Sequence, residues 1–96
     1  MFGSVNVTIL YTAHIKAAVG TAGQKLTVKE NATLADCFEA LCEQAPPQVR
    51  ELITDNQHKL RSAILLCVDD EQKSLDDPEP LSEGAEITVL AAISGG

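Results

Sequence analysis

The chain has 96 residues, enough for one domain with a modest core. Hydrophobic residues make up 45%, with no Trp, one Tyr and two Phe, which excludes a disordered composition and calls for an aliphatic core. The net charge is −7, a sign that disfavours nucleic-acid binding.

Val5 to Tyr11 alternates with period two, as a strand does, except that Leu10 stands where a polar residue is expected. His14 to Gly23 holds Gly20 and Gly23 among small residues and reads as a loop. Gln24 to Lys29 reads as a second strand, pairing with the first in a wide hairpin. Thr33 is a good N-cap, and Asp36 three residues on completes a variant capping box. Leu34, Cys37, Phe38, Leu41 and Ala45 then fall on one helical face, and Pro46-Pro47 ends the helix. Gln48 to Thr54 reads as a short second helix.

Ala63 to Val68 is the most apolar run and is expected to be a central strand covered on both faces. A short strand is expected near Gln72–Ser74, and a last one over Glu86–Leu90 with Ile87 and Val89 inward. A helix lies between the second and third strands, so these are parallel or separated in the sheet. The order predicts an α+β domain, a mixed sheet with one main helix across it, over residues 1–90. Residues 91–96 are expected to be a flexible tail ending in Gly-Gly.

Between Asp69 and Glu86 lie eight acids and one base, Lys73, which accounts for the whole net charge. Such a segment is a solvated edge or a docking surface for a basic partner. The N-terminal residues show no basic start followed by an apolar stretch, and no apolar run reaches the roughly 20 residues of a membrane helix. The expectation is a cytoplasmic protein with no membrane or nucleic-acid partner.

Little in the chain fits catalysis. Cys37, Cys42 and Cys67 sit in apolar patterns and read as small buried hydrophobes. The spacing of Cys37 and Cys42 matches the first gap of plant-type ferredoxins, but the fourth Cys is missing. His14 and His58 are isolated in predicted loops, and no ligand spacing fits a zinc site. No serine has a nucleophile-elbow context, and Gly20-Thr21-Ala22-Gly23 lacks the spacing and Lys of a phosphate loop.

What remains is Ala91-Ala92-Ile93-Ser94-Gly95-Gly96. Small residues after a last strand are the ordinary make-up of a ragged end. They are also slim enough to thread a narrow channel and present a carboxylate for activation as an acyl-adenylate.

The chain resembles the sulfur-carrier family of the molybdopterin synthase small subunit (MoaD) and the thiamine carrier (ThiS). The resemblance is carried by Val5–Tyr11, Ala22-Gly23-Gln24, the helix from Thr33, and Lys59-Leu60-Arg61 before Ile64–Val68. It continues through Leu81-Ser82-Glu83-Gly84-Ala85-Glu86-Ile87 to Ser94-Gly95-Gly96. The family often has Asn at the position of Asp69 and Pro at that of Ala91.

The resemblance implies a ubiquitin-like β-grasp fold and a carrier rather than an enzyme, with no bound cofactor or metal. It implies that an adenylating enzyme of the ubiquitin-activating type uses ATP to activate Gly96. Sulfur transfer then makes a thiocarboxylate, with Gly95, Ser94 and Ile93 lying in the partner's channel. The sulfur passes to an acceptor, expected from the chain length to be the molybdopterin synthase large subunit. Carriers for thiamine or cysteine synthesis, and protein modifiers conjugated through Gly96, share these features. An interaction domain with an inert tail is a further reading. Leu10 and Leu90, which interrupt the outward positions of their strands, are the expected partner surface.

Overall fold

The computed structural model describes residues 3–57 and 59–91. Strand β1 (Ser4–Tyr11) turns its buried residues Val7, Ile9 and Tyr11 to one side, as the alternation requires. It pairs antiparallel with β2 (Gly23–Lys29), in register from Ser4 opposite Lys29 to Leu10 opposite Gly23. Any side chain at Gly23 would collide with the carbonyl oxygen of Ile9, so the two backbones meet there only through glycine.

The connection between these strands is not the expected loop. It contains a helix, α1 (Ala13–Val19), anchored by the fully buried Ile15. Gly20, taken as a loop signal, is instead the C-cap. Its φ of 82° is left-handed, and its N–H donates to the Lys16 carbonyl at 2.8 Å. His14 consequently lies on an exposed helical position rather than in a loop, whereas His58 is outside the described residues.

The main helix, α2 (Leu34–Gln44), matches expectation closely. The Asp36 N–H donates to Thr33 Oγ1 at 3.4 Å, and the Thr33 N–H donates to Asp36 Oδ2 at 3.0 Å, which closes the capping box. That second bond holds the Asp36 carboxyl below the usual carboxylate range. Leu34, Cys37, Phe38 and Leu41 are the buried face, and Ala45 packs at its margin. Helix α3 (Pro47–Ile53) begins with Pro47 at its first position, where the missing N–H costs nothing, and buries Val49 and Ile53.

Strands β3 (Ile64–Val68), β4 (Glu71–Lys73) and β5 (Glu86–Ala91) complete a five-stranded mixed sheet in the order β2-β1-β5-β3-β4. β5 is parallel to β1 and antiparallel to β3, while β3 and β4 form an antiparallel hairpin. Asp69 and Asp70 turn that hairpin with φ of 49° and 73°, the double left-handed geometry of a two-residue turn. β2 and β3 are separated by two strands, as their helical connection requires. β5 runs one residue further than expected, to Ala91, which pairs with Ile64.

One expectation fails here. β3 is neither the centre of the sheet nor covered on both faces. β5 holds the centre. Ile64 and Leu66 are buried, but Leu65 and Cys67 point to the other side and are only half-buried. The helices form a single layer, so every outward strand position faces away from the core.

Phe38 anchors the contact between α2 and the sheet and is 8% exposed. Replacing it with Ala is expected to cost roughly 3–5 kcal/mol in urea unfolding, the range for buried aromatics cut to Ala. A loss below 1 kcal/mol would place Phe38 outside the core.

Candidate functional site

The described residues end on β5, the middle strand of the sheet. β5 ends at Ala91, held on one side by β3 through the pairs Leu90 with Leu65 and Ala91 with Ile64. On its other side the ladder to β1 ends at Tyr11 opposite Val89. There the Val89 carbonyl accepts two bonds from Thr12, from its N–H at 3.3 Å and its hydroxyl at 3.2 Å. Ile93, Ser94, Gly95 and Gly96 lie outside the described residues. Five residues beyond Ala91 span at most about 17 Å when extended.

The face of the sheet away from the helices is apolar near this exit. Leu10 stands opposite Thr88 on β5, so Leu90 is its diagonal neighbour. Leu65 is directly opposite Leu90, and Cys67 is opposite Thr88. Leu10, Leu65, Cys67 and Leu90 are all half-buried. The two leucines singled out from sequence thus share one face on adjacent strands. Leu65 and Cys67 are additions to that face. Reading the run Ala63–Val68 as covered twice by the chain itself concealed them, although an uninterrupted apolar strand in so small a domain is itself a signal of a second cover.

Asp69 and Glu86, the two ends of the acidic segment, meet at the far end of β5. The Glu86 N–H donates to Asp69 Oδ1 at 3.0 Å, and the Asp69 N–H donates to the Glu86 carbonyl at 2.9 Å. The Lys73 ammonium sits 3.3 Å from Glu71, 3.4 Å from Glu79 and 3.7 Å from Asp77. The hydrogen bond to Glu71 and the surrounding carboxylates raise its pKa. Such exposed pairs are worth little in stability, and they leave most of the acids unpartnered by any base.

An apolar groove of about 700 Å³ lies on the helix side, floored by Phe38, Leu66 and Leu75 and rimmed by Lys59 and Arg61. Its lining holds no His or Cys among the described residues. Among the described residues no group of three or more His, Cys, Asp or Glu is placed to hold a metal ion. Tyr11 is held neutral, since burial raises its phenol to about 12 while its hydroxyl donates to Gln24 Oε1 at 2.9 Å. No helix among the described residues is long and apolar enough to cross a membrane.

The cysteines differ in reach. Cys37 is 1% exposed and burial raises its thiol to about 11, so it stays protonated and covered at neutral pH. Burial also raises Cys42. In the folded protein at pH 8, a maleimide read by peptide mapping is expected to modify Cys67 on the open face well before Cys37. Cys37 should react only after unfolding in urea, and equal rates in the native state would contradict its burial.

Known proteins share this architecture. The profile of the ThiS family matches residues 9–96, nearly the whole chain. No match is found among curated proteins. Among solved structures, SAMP1 from Haloferax volcanii superposes with a TM-score of 0.81 at 22% identity, covering 95% of this chain and 99% of that one. A Pyrococcus furiosus protein provisionally assigned as molybdopterin converting factor subunit 1 gives 0.70 at 17% identity, covering 93% and 99%. The Amycolatopsis orientalis BexX/CysO complex gives 0.63 at 21% identity, covering 94% and 99%. At these identities the likeness establishes the ubiquitin-like β-grasp fold, and the profile establishes the family. The chain belongs to the ThiS family, whose ubiquitin-like members are small sulfur carriers or protein modifiers.

Proposed function

We propose that this chain is a sulfur carrier whose working group is the carboxylate of Gly96. The observation that carries the reading is the central strand β5, which ends at Ala91 beside the apolar face of Leu10, Leu65 and Leu90 and is followed in the sequence by Ala92-Ile93-Ser94-Gly95-Gly96. The reading requires Gly96 to bear a free carboxylate. An activating enzyme of the ubiquitin-activating type docks on the apolar face and takes Ile93, Ser94 and Gly95 into its channel.

The Gly96 carboxylate attacks the α-phosphorus of ATP, pyrophosphate leaves, and an acyl-adenylate forms. A sulfur nucleophile then attacks the acyl carbon and AMP leaves. Where that nucleophile is the outer sulfur of a donor persulfide, a second thiol attacks the donor sulfur, the S–S bond to the acyl sulfur breaks, a disulfide forms on the donor side, and the thiocarboxylate is freed. The chain acts as a sulfur-donating co-substrate, not as a catalyst, and holds no cofactor itself. The preferred acceptor is the large subunit of molybdopterin synthase, in keeping with the chain length and with the molybdopterin assignment of the Pyrococcus furiosus neighbour. The working place is the cytoplasm. A second reading, a protein modifier joined through Gly96 to a lysine, draws on the likeness to a small archaeal modifier protein.

The test is incubation with ATP, an activating enzyme and a sulfur donor, read by intact mass. The unaltered chain should gain the mass of one oxygen-to-sulfur exchange. Deleting Gly96 shortens the reach by about 3.5 Å, and misplacement of even ~1 Å can cost on the order of a hundredfold in rate. The truncated chain, and one extended by a single residue, should therefore not react, while both keep the melting temperature. Equal gain in the altered chains would refute the role of Gly96, and lysine-linked adducts from native cells would favour the modifier.

The apolar face has its own test. Leu10→Glu puts a charge on a half-buried outward position, so the fold should survive while affinity for the activating enzyme falls at least tenfold, as for an interface residue worth over 1.4 kcal/mol. Unchanged affinity in titration calorimetry would remove the face from the reading.

A further inference from the structure

Thr12 stands where β1 stops and α1 starts. It is the N-cap of α1, and its carbonyl accepts from the Lys16 N–H at 2.7 Å. A threonine in that place normally turns its hydroxyl to a free N–H of the first helical turn. Here the side chain makes no cap bond. The hydroxyl donates instead to the Val89 carbonyl at 3.2 Å, beside the Thr12 N–H that reaches the same oxygen at 3.3 Å. Both lone pairs of one carbonyl are engaged by one residue.

The position of that carbonyl matters. Val89 is the last residue of β5 with a strand partner on the β1 side, because the chain beyond Tyr11 turns away into α1. Leu90 and Ala91 are paired only with β3. Without the Thr12 hydroxyl, the final hold on the β1 side would be a single long N–H bond. The end of β5 could then part from β1 as far back as Val89, with Leu90 and Ala91 held by β3 alone.

We propose that Thr12 is a positioning residue for the C-terminal tail. Its hydroxyl is diverted from capping α1 to fixing Val89, which sets the point on the sheet from which Gly96 reaches a partner's reaction centre. The proposal rests on the sulfur-carrier reading for its consequence but not for its geometry.

The experiment compares Thr12→Val, which removes the hydroxyl at constant shape, with Thr12→Ser, which restores it. Amide hydrogen exchange at Thr12, whose N–H donates to the Val89 carbonyl, and at Val89 reads the hold on β5 with no partner present, and kcat/KM for adenylation reads its consequence. In Thr12→Val, exchange at both amides should rise several-fold with the melting temperature nearly unchanged, and kcat/KM should fall about tenfold. Thr12→Ser should return both towards the unaltered chain. A contact role for Thr12 at the partner interface would change KM and leave exchange alone. Unchanged exchange in Thr12→Val, unchanged kcat/KM, or a Thr12→Ser variant as impaired as Thr12→Val would each overturn the proposal. If the unaltered chain is never adenylated, the carrier reading fails instead, and the exchange rates decide alone whether Thr12 holds β5.

Discussion

The pairing of β5 between β1 and β3 is the constraint on which the rest of this molecule depends. The last strand of the chain enters the middle of the sheet, parallel to the first strand and antiparallel to the third. It brings Ile87 and Val89 into the core with almost no exposure, worth on the order of 1.5–3 kcal/mol each in apolar burial. Neither half of the sheet touches the other without it, since β2 and β1 lie on one side and β3 and β4 on the other. Closing that sheet joins residues from opposite ends of the sequence, a non-local contact whose loop entropy must be met before any pairing repays it. The same closure holds Ala91 at the end of the central strand through its pair with Ile64.

A sheet covered by one layer of helices leaves its other face to water. In most small domains that face is polar, and β2 follows the rule with Lys25, Thr27 and Lys29 exposed. The half around β5 does not. Leu10, Leu65 and Leu90 lie on three adjacent strands, where their burial contributes only in part to the stability of the isolated chain. Contiguous apolar surface of this kind usually marks a contact with another protein. Its nearness to the end of β5 ties the surface and the tail into one functional unit in the proposed reading.

Much of this was legible in the residues because local and tertiary signals agreed. Thr33 and Asp36 announce the start of α2 through a capping box that forms as expected, and the spacing of Leu34, Cys37, Phe38 and Leu41 names its buried face. Alternation in β1 and β5 identifies the inward residues and makes Leu10 and Leu90 stand out. Two features were hidden. α1 is short and anchored by the buried Ile15 among alanines, which makes no periodic pattern, and its stop signal Gly20 is chemically the same as a loop glycine. β3 was misplaced because an unbroken apolar run has the same appearance whether the second cover is a helix of its own chain or a surface left open. The open face as a set of three strands follows from register, which sequence alone does not supply. The residues 92–96 carry the chemistry in the proposed reading, and they were legible only as composition.

The location of charge bears on how such chemistry would proceed. Attack of a carboxylate on ATP brings two anions together, so any further negative field at the reaction centre would oppose it. This chain carries its whole net charge between Asp69 and Glu86; Asp69 and Glu86 themselves meet at the end of β5 opposite Ala91, while Glu71, Asp77 and Glu79 gather round Lys73 on the edge strand β4. Five steps along a strand separate those ends by roughly 17 Å. That is about two Debye lengths at physiological ionic strength, before the tail adds its own length. Asp69 and Glu86 can therefore guide a basic partner on first approach while adding little field where Gly96 would react, and Lys73 offsets part of the charge on β4. Attraction at long range and low repulsion at the reacting carboxylate are compatible because β5 spans the distance between them.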